Sequence, residues 1–373
     1  MTLSVRTSVR TRTRELNMST VCLFLLAAAL CLCPSAGFAK EPDKKPALDA
    51  GWELIRQQTV EAHLAFLASD ALEGREAGKR GGRVAAEYIR AELKEAGIKP
   101  FFDTHFQPFE AYSPARERQV DFQVSPDSVA RYKQLPAYRR LNLQNVVGCI
   151  EGERKDEYVV VGAHYDHVGV DDLLVGDRIY NGADDNAASV AALLQVARAF
   201  AANAEKPLRS IIFAFWDGEE VNYLGSEYFV ENFGNTASIR AYINLDMISR
   251  EGLMPILYPE FVIPEATAEN TATGNQFHLL HTEPLTKAGE RLQQDIRSHR
   301  LNIVPKPAVI ASQSRGSDYL AFSLRDVPVL WFFTGLHPDY HTPDDETDRI
   351  DWEKLIHITK ATYLSIKLLA NEK

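Results

Sequence analysis

The sequence predicts an α/β protein, a three-layer sandwich around a mostly parallel central sheet. Short apolar runs without polar alternation carry the first half of that reading. LQNVVGCI, Tyr158–Ala163 (YVVVGA), Ile211–Trp216 (IIFAFW), Tyr242–Leu245 (YINL) and Val327–Phe333 (VPVLWFF) read as strands covered on both faces. The second half comes from the stretches between several of them, whose helical periodicity gives the βα alternation of a parallel sheet. At 373 residues, 45% hydrophobic and 25% charged, the chain is large enough for a single domain over 40–373.

The first 39 residues stand apart. Arg6, Arg10, Arg12 and Arg14 precede the apolar run Val21–Cys33, and small residues lead to Ala39. This is the layout of a secretory signal peptide over 1–39, with Met18 as an alternative start. The run is well short of the roughly 20 residues that span a bilayer, so stable membrane insertion is not expected. The mature chain is therefore expected to be secreted or periplasmic. Its removal takes Cys22, Cys31 and Cys33, leaving Cys149, which cannot form an internal disulfide and reads as a small buried hydrophobe. The formal charge of −10 becomes more negative without the leader arginines, which argues against nucleic acid as a partner.

After a charged, proline-containing linker over 40–50, Val60, His63, Leu64 and Leu67 fall at helical spacing, with His63 a packing residue. LASDALEGREAGKRGG (67–82) reads as a loop, and Arg83–Ala96 as a helix stopped by Gly97. FFDTHFQPFEAY suggests a strand at a sheet edge and SPARERQVDFQV another, with His105 a surface or packing residue. Residues 187–202 form the strongest helix, with Val190, Leu193, Leu194, Ala197 and Phe200 on one face. Residues 251–316 interrupt the alternation with MPILYPEFVIPEA and a helix-like stretch, and are expected to form a lid or substrate wall carrying His278, His281 and His299. A helix from Asp351 to about Ala370 closes the chain with Leu355, Ile358, Thr362, Ile366 and Leu369 inward.

Metal-ligand residue types recur where these elements end. YVVVGA runs into GAHYDHVG, the strongest helix opens with NGADDNAAS, IIFAFW ends in WDGEE, YINL in NLDM, and the last strand is followed by DYHTPDD. Each piece alone is weak. Five in order at element boundaries are not, because open α/β sheets place their sites beyond the strand carboxyl ends. Adjacent carboxylates in WDGEE can divide labour, one binding a metal and the other taking a proton from water.

With those motifs in place, the chain resembles the co-catalytic zinc aminopeptidases of peptidase family M28 over roughly Asn145 to Leu355, and 67–82 is similar to the amino-terminal segment of bacterial members. The resemblance implies the phosphorylase/hydrolase-like zinc exopeptidase fold and two zinc ions per chain. His164 and Asp246 would bind one, Glu220 and His341 the other, and Asp185 would bridge them. Glu219 would be the base that activates the water held between the ions. His167 is the rival ligand in HYDHVG, with the family pattern favouring His164. Asp166 is expected to accept the other N–H of His164, and Asp318 to orient His341. Asp184 would support the loop, Asn186 replaces an aspartate of some members, and His337 is unassigned. Tyr340 has two open roles, an oxyanion contact or packing. The implied activity is an exported aminopeptidase acting on peptides with a free N-terminus. Glutaminyl cyclase with one zinc, or a carboxypeptidase or amidohydrolase using a cation such as Arg315, are the alternatives. Oligomeric state is not legible.

Overall fold

The computed structural model describes residues 49–115, 121–252, 271–311, 313 and 315–372. The expected leader and the MPILYPEFVIPEA run lie outside them. The described residues belong to one compact unit, Lys45–Lys373.

Helices α1 (Gln57–Leu67) and α2 (Arg80–Glu95) precede β1 (Lys99–Pro100), β2 (Phe106–Pro114), α3 (Pro126–Tyr132) and β3 (Tyr138–Ile150). Next come β4 (Arg154–His164), the small pair β5 (Gly169–Val170) and β6 (Ile179–Tyr180), α4 (Ala188–Ala201) and β7 (Arg209–Trp216). They are followed by α5 (Leu224–Glu231), β8 (Ile239–Leu245), β9 (Gln276–His281), α6 (Thr286–Ser298) and β10 (Val304–Val309). Helix α7 (Tyr319–Ser323), β11 (Val329–Phe333) and α8 (Trp352–Asn371) complete the chain.

Among the described residues nine strands form one sheet in the order β1-β3-β7-β4-β8-β11-β9-β10, with β2 also paired to β3. At its centre β7, β4, β8 and β11 run parallel, as expected. The flanks differ: β3 is antiparallel to β7, β1 and β2, and β9 is antiparallel to β11, which makes the whole sheet mixed. The two faces follow the period of two along a strand. Val159, Val161, Ile211, Phe213 and Ile243 pack with α1, α2, α4, α6 and α8, whereas Val160, Ile212, Ala214, Trp216 and Tyr242 pack with α5 and α7. These strands need apolar residues at every position because helices cover both sides. Helix α4, expected to bury one face, is buried nearly all round between the sheet, α1 and α8.

Four expectations change. A 3₁₀ turn, Asp70–Arg75, lies within the predicted 67–82 loop, and α2 starts at Arg80 rather than Arg83. Of SPARERQVDFQV, Ser113 and Pro114 end β2, but the described residues from Asp121 form no strand of their own: they touch Tyr112 through one bridge at Gln123, and Pro126 then opens α3. Within 251–316, residues 276–309 build β9, α6 and β10 and extend the sheet, rather than standing over it. His278 and His281 are accordingly not surface or wall residues but buried positions of β9, at 5% and 3% exposure, the first beside Phe333 and the second under Gly289 of α6. His299 is half-buried against Trp52. Cys149 is free, and burial pushes its thiol up to about 12, which suits packing and not nucleophilic attack. Among the described residues no helix is long and apolar enough to cross a membrane.

Candidate metal centre

The site grows from the carboxyl ends of the parallel strands. Strand β4 ends on His164, β7 runs into Asp217-Gly218-Glu219-Glu220, and β8 stops one residue before Asp246. Gly218 turns the chain at φ 78, a conformation that favours glycine. The segment before α4 supplies Asp185, and the loop after β11 supplies His341, itself held in the left-handed region at φ 53. Residues separated by up to 177 positions, His164 and His341, thus reach one pocket.

His164 Nε2 lies 3.3 Å from Asp185 Oδ1 and 3.7 Å from Asp246 Oδ1. His341 Nε2 lies 3.1 Å from Asp185 Oδ2 and 3.1 Å from Glu220 Oε2. Each oxygen of Asp185 therefore faces a different imidazole, as a bridging carboxylate must. Glu219 Oε2 stands farther off, 4.0 Å from His164 Nε2. Among the described residues three overlapping donor groups result, His164 with Asp185 and Asp246, His167 with Asp185, Glu220 and His341, and His164 with Glu219 and Glu220, the donor atoms of each lying within 4.8 Å of one another.

This donor set fits zinc, which takes imidazole nitrogen and carboxylate oxygen. Its electrostatics fit cations as well. Burial would lower His341, but its hydrogen bonds to the carboxylates of Asp185 and Glu220 push it up to about 11. Burial likewise opposes protonation of His164, which Glu219, Asp185 and Asp246 nonetheless raise well above the usual imidazole range. Glu219 is driven well above the carboxylate range by burial and by Asp246 and Glu220, against the pull of His164. Burial and Asp185 would raise Glu220, yet His167 and His341 hold it down to about 2. The buried guanidinium of Arg75 points at four backbone carbonyls, those of Leu67, Tyr165, Asn181 and Gly182, rather than at these carboxylates.

Around this cluster one expected contact is rearranged. Asp166 is beside His164, but its main-chain oxygen meets His164 Nδ1 at 3.1 Å while its carboxylate is 3.8 Å away. That carboxylate instead accepts the backbone N–H groups of Glu219 at 3.1 Å and Glu220 at 3.3 Å, so Asp166 aims both glutamates. Asp318 is buried, and burial together with Asp166 and Asp246 raises its carboxyl to about 7 against the pull of His164. The residue before it, Ser317, donates to Asp246 Oδ2 at 2.5 Å and accepts from Asn244 Nδ2 at 2.8 Å. Tyr340 stacks on His341 with ring centres 3.8 Å apart.

The segment that carries Asp185 is held from behind. Asp184 accepts from the Ser249 N–H at 2.8 Å and from its hydroxyl, a loop-supporting role. Asn186 donates to Leu245 O at 3.0 Å and accepts from Met247 N–H at 3.3 Å, which brackets Asp246. His337 Nε2 approaches Asp184 Oδ2 at 3.4 Å and Asp345 Oδ1 at 3.9 Å. Sequence reasoning missed Asp345, whose Oδ2 accepts the N–H groups of Asp184 at 3.1 Å and Asp185 at 3.0 Å. It also missed Arg75. Nothing in DYHTPDD separates Asp345, fully buried, from exposed Asp344.

Comparison with known proteins gives the family and the fold. The family model described as peptidase family M28 matches residues 145–365. A probable leucine aminopeptidase 2 of Aspergillus fumigatus is 27% identical over 250 residues, 61% of this chain and 44% of that one. The chain thus spans less than half the length of that relative. An aminopeptidase from Aneurinibacillus sp. strain AM-1 superposes with a TM-score of 0.60 at 15% identity, covering 86% of this chain and 96% of the other. A glutaminyl cyclase from Porphyromonas gingivalis does so at 0.57 and 16%, covering 84% and 98%. At such identities the two structures establish the shared fold.

Proposed function

Because this chain belongs to peptidase family M28, we propose that it is a zinc-dependent exopeptidase, an aminopeptidase that removes N-terminal residues from peptides. The observation that carries the reading is Asp185, with one oxygen toward His164 and the other toward His341. In this reading His164 and Asp246 hold one zinc, Glu220 and His341 the other, and Asp185 both. When bound, the two ions supply Lewis acidity toward the scissile carbonyl. Glu219, aimed by Asp166, accepts the proton of the attacking water and returns it to the leaving amine. A free α-amine held near one ion would place the first peptide bond beside Glu219. Tyr340, stacked on His341, has its hydroxyl available to the oxyanion.

Purified protein incubated with aminoacyl amides and their N-blocked counterparts tests this directly. Hydrolysis of the free-amine substrates alone, abolished by chelation, is expected, and cleavage of blocked substrates at equal rate would refute it. The glutaminyl cyclase fold neighbour supports a second reading, in which one zinc suffices and N-terminal glutamine peptides release ammonia without loss of a residue. Metal content and product mass separate the two. The same proposal includes export: Edman sequencing of protein recovered outside the cytoplasm should begin at Lys40, and an intact leader there would refute cleavage after Ala39.

A further inference from the structure

We infer that His167 ligates the same ion as Glu220 and His341, an inference that rests on the two-metal reading, so that one ion has four protein donors and the other three. The five ligands assigned from the family pattern divide evenly, three to each ion with Asp185 shared. His167 breaks that symmetry. Its Nδ1 stands 2.7 Å from Glu220 Oε1 and 3.8 Å from Asp185 Oδ2. His341 Nε2 lies 3.1 Å from the same Asp185 Oδ2 and 3.1 Å from the same Glu220 carboxylate. Two imidazole nitrogens from different loops thus converge on one pair of carboxylates.

Zinc–donor bonds of about 2.0–2.1 Å in tetrahedral array put neighbouring donors about 3.3 Å apart. The observed separations, from 2.7 to 3.8 Å, fall on both sides of that value. The two rings, 5.5 Å apart between centres and inclined at 73°, do not stack on each other. A histidine that served only to orient Glu220 would sit behind the carboxylate, away from Asp185. His167 sits on the side that Asp185 and His341 share. Its Nε2 has no hydrogen-bond partner among the described residues, so whatever Nδ1 meets is the ring's one polar contact there.

The fold also fixes this ring. The His167 N–H donates to the carbonyl of Arg75 at 3.2 Å, and the imidazole lies on Gly182, where a Cβ would come within 2.4 Å of His167 Cδ2. Gly182 is in the left-handed region at φ 54, and its carbonyl accepts from Arg75. One buried arginine therefore braces both the histidine and the surface it rests on. The consequence is unequal retention: the ion at His167, Glu220 and His341 is the last to leave, and the ion at His164 and Asp246 the first.

Titration of the metal-free full chain with zinc against a competing chelator, with cobalt absorption as a report of coordination, tests this. The unaltered protein should take two equivalents with unequal affinities. His167→Ala should weaken the tighter class more than ~100-fold, beyond the 10–100-fold typical of losing an outer hydrogen-bond partner, and leave the weaker class in place. His167→Asn keeps an N–H for Glu220 without an imidazole and should fall with the alanine variant. Wild-type affinity in His167→Asn, or an unchanged tight class and cobalt spectrum in His167→Ala, would overturn ligation. Melting curves of the metal-free variants establish that they fold. One equivalent in the unaltered protein would overturn the two-metal reading while the histidine variants still decide whether His167 binds that ion, and no binding would overturn both.

Discussion

Replacing Asp345 tests whether the pocket is organised from behind. Its buried carboxylate accepts two backbone N–H groups, from Asp184 at 3.1 Å and Asp185 at 3.0 Å, and Arg250 Nη1 lies 3.4 Å from its second oxygen. Hydrogen bonds to a charged group contribute about 1.5–3 kcal/mol each against about 0.5–1.5 for neutral ones. Asp345→Ala removes both backbone bonds and should destabilise the metal-free protein by about 3–5 kcal/mol, lowering Tm by about 6–10 °C. Asp345→Asn retains one oxygen at the Oδ2 position but loses the charge and turns an NH2 toward Arg250, so about 1–2 kcal/mol is expected. Asp185 carries the shared donor oxygens, and a displacement near 1 Å there should also reduce kcat/KM about 100-fold in the alanine variant. Urea and thermal melts on the metal-free and zinc-loaded forms, with aminoacyl amide kinetics, supply the numbers. If both variants melt with the unaltered protein, or if asparagine is the more damaging, the carboxylate is not what holds the bridging segment.

Glu219→Gln should lower turnover about 10²–10⁴-fold at retained zinc content, and wild-type turnover would remove Glu219 as the base. Chelation should abolish activity and lower Tm, because clustered carboxylates then repel without compensation, and zinc should restore both. If Tm is unmoved by chelation, the cluster does not depend on cations for its stability. His63 and His278 are both lowered to about 4, burial being the main cause, so on acidification the unfolded chain takes up protons first. The stability contributed by their neutral forms is complete above about pH 6.5 and is lost as pH falls toward 4, at up to ~1.4 kcal/mol per pH unit for each histidine. His278→Leu should flatten the pH dependence of urea-derived stability between pH 4.5 and 6 by about that slope, and an unchanged slope would refute the assignment.

The parallel centre of the sheet was legible because strands covered on both faces need uninterrupted apolar runs, and Tyr158–Ala163 and Ile211–Trp216 have them. Strand β9 was not, because QFHLLH places two histidines at buried positions and so resembles a polar segment. The convergence of His164, Asp185, Glu219, Glu220, Asp246 and His341 could be anticipated from their places at element ends. Side-chain direction could not. Whether Asp166 turns its carboxylate or its carbonyl to His164 depends on the turn after β4 and on the N–H groups of Glu219 and Glu220 brought beside it, and which of Asp344 and Asp345 points inward is set by the path of the loop after β11. His167 was visible as a rival to His164, but residue spacing cannot show that both nitrogens reach the same cluster.

Arg75 lies well upstream of position 145, where the family match begins, yet its guanidinium ties together the carbonyls of Leu67, Tyr165, Asn181 and Gly182. The amino-terminal third is thus a buttress to the chemistry and not an appendage. A fragment trimmed to residues 145–365 would carry every donor atom and lack the cross-tie that keeps them in register.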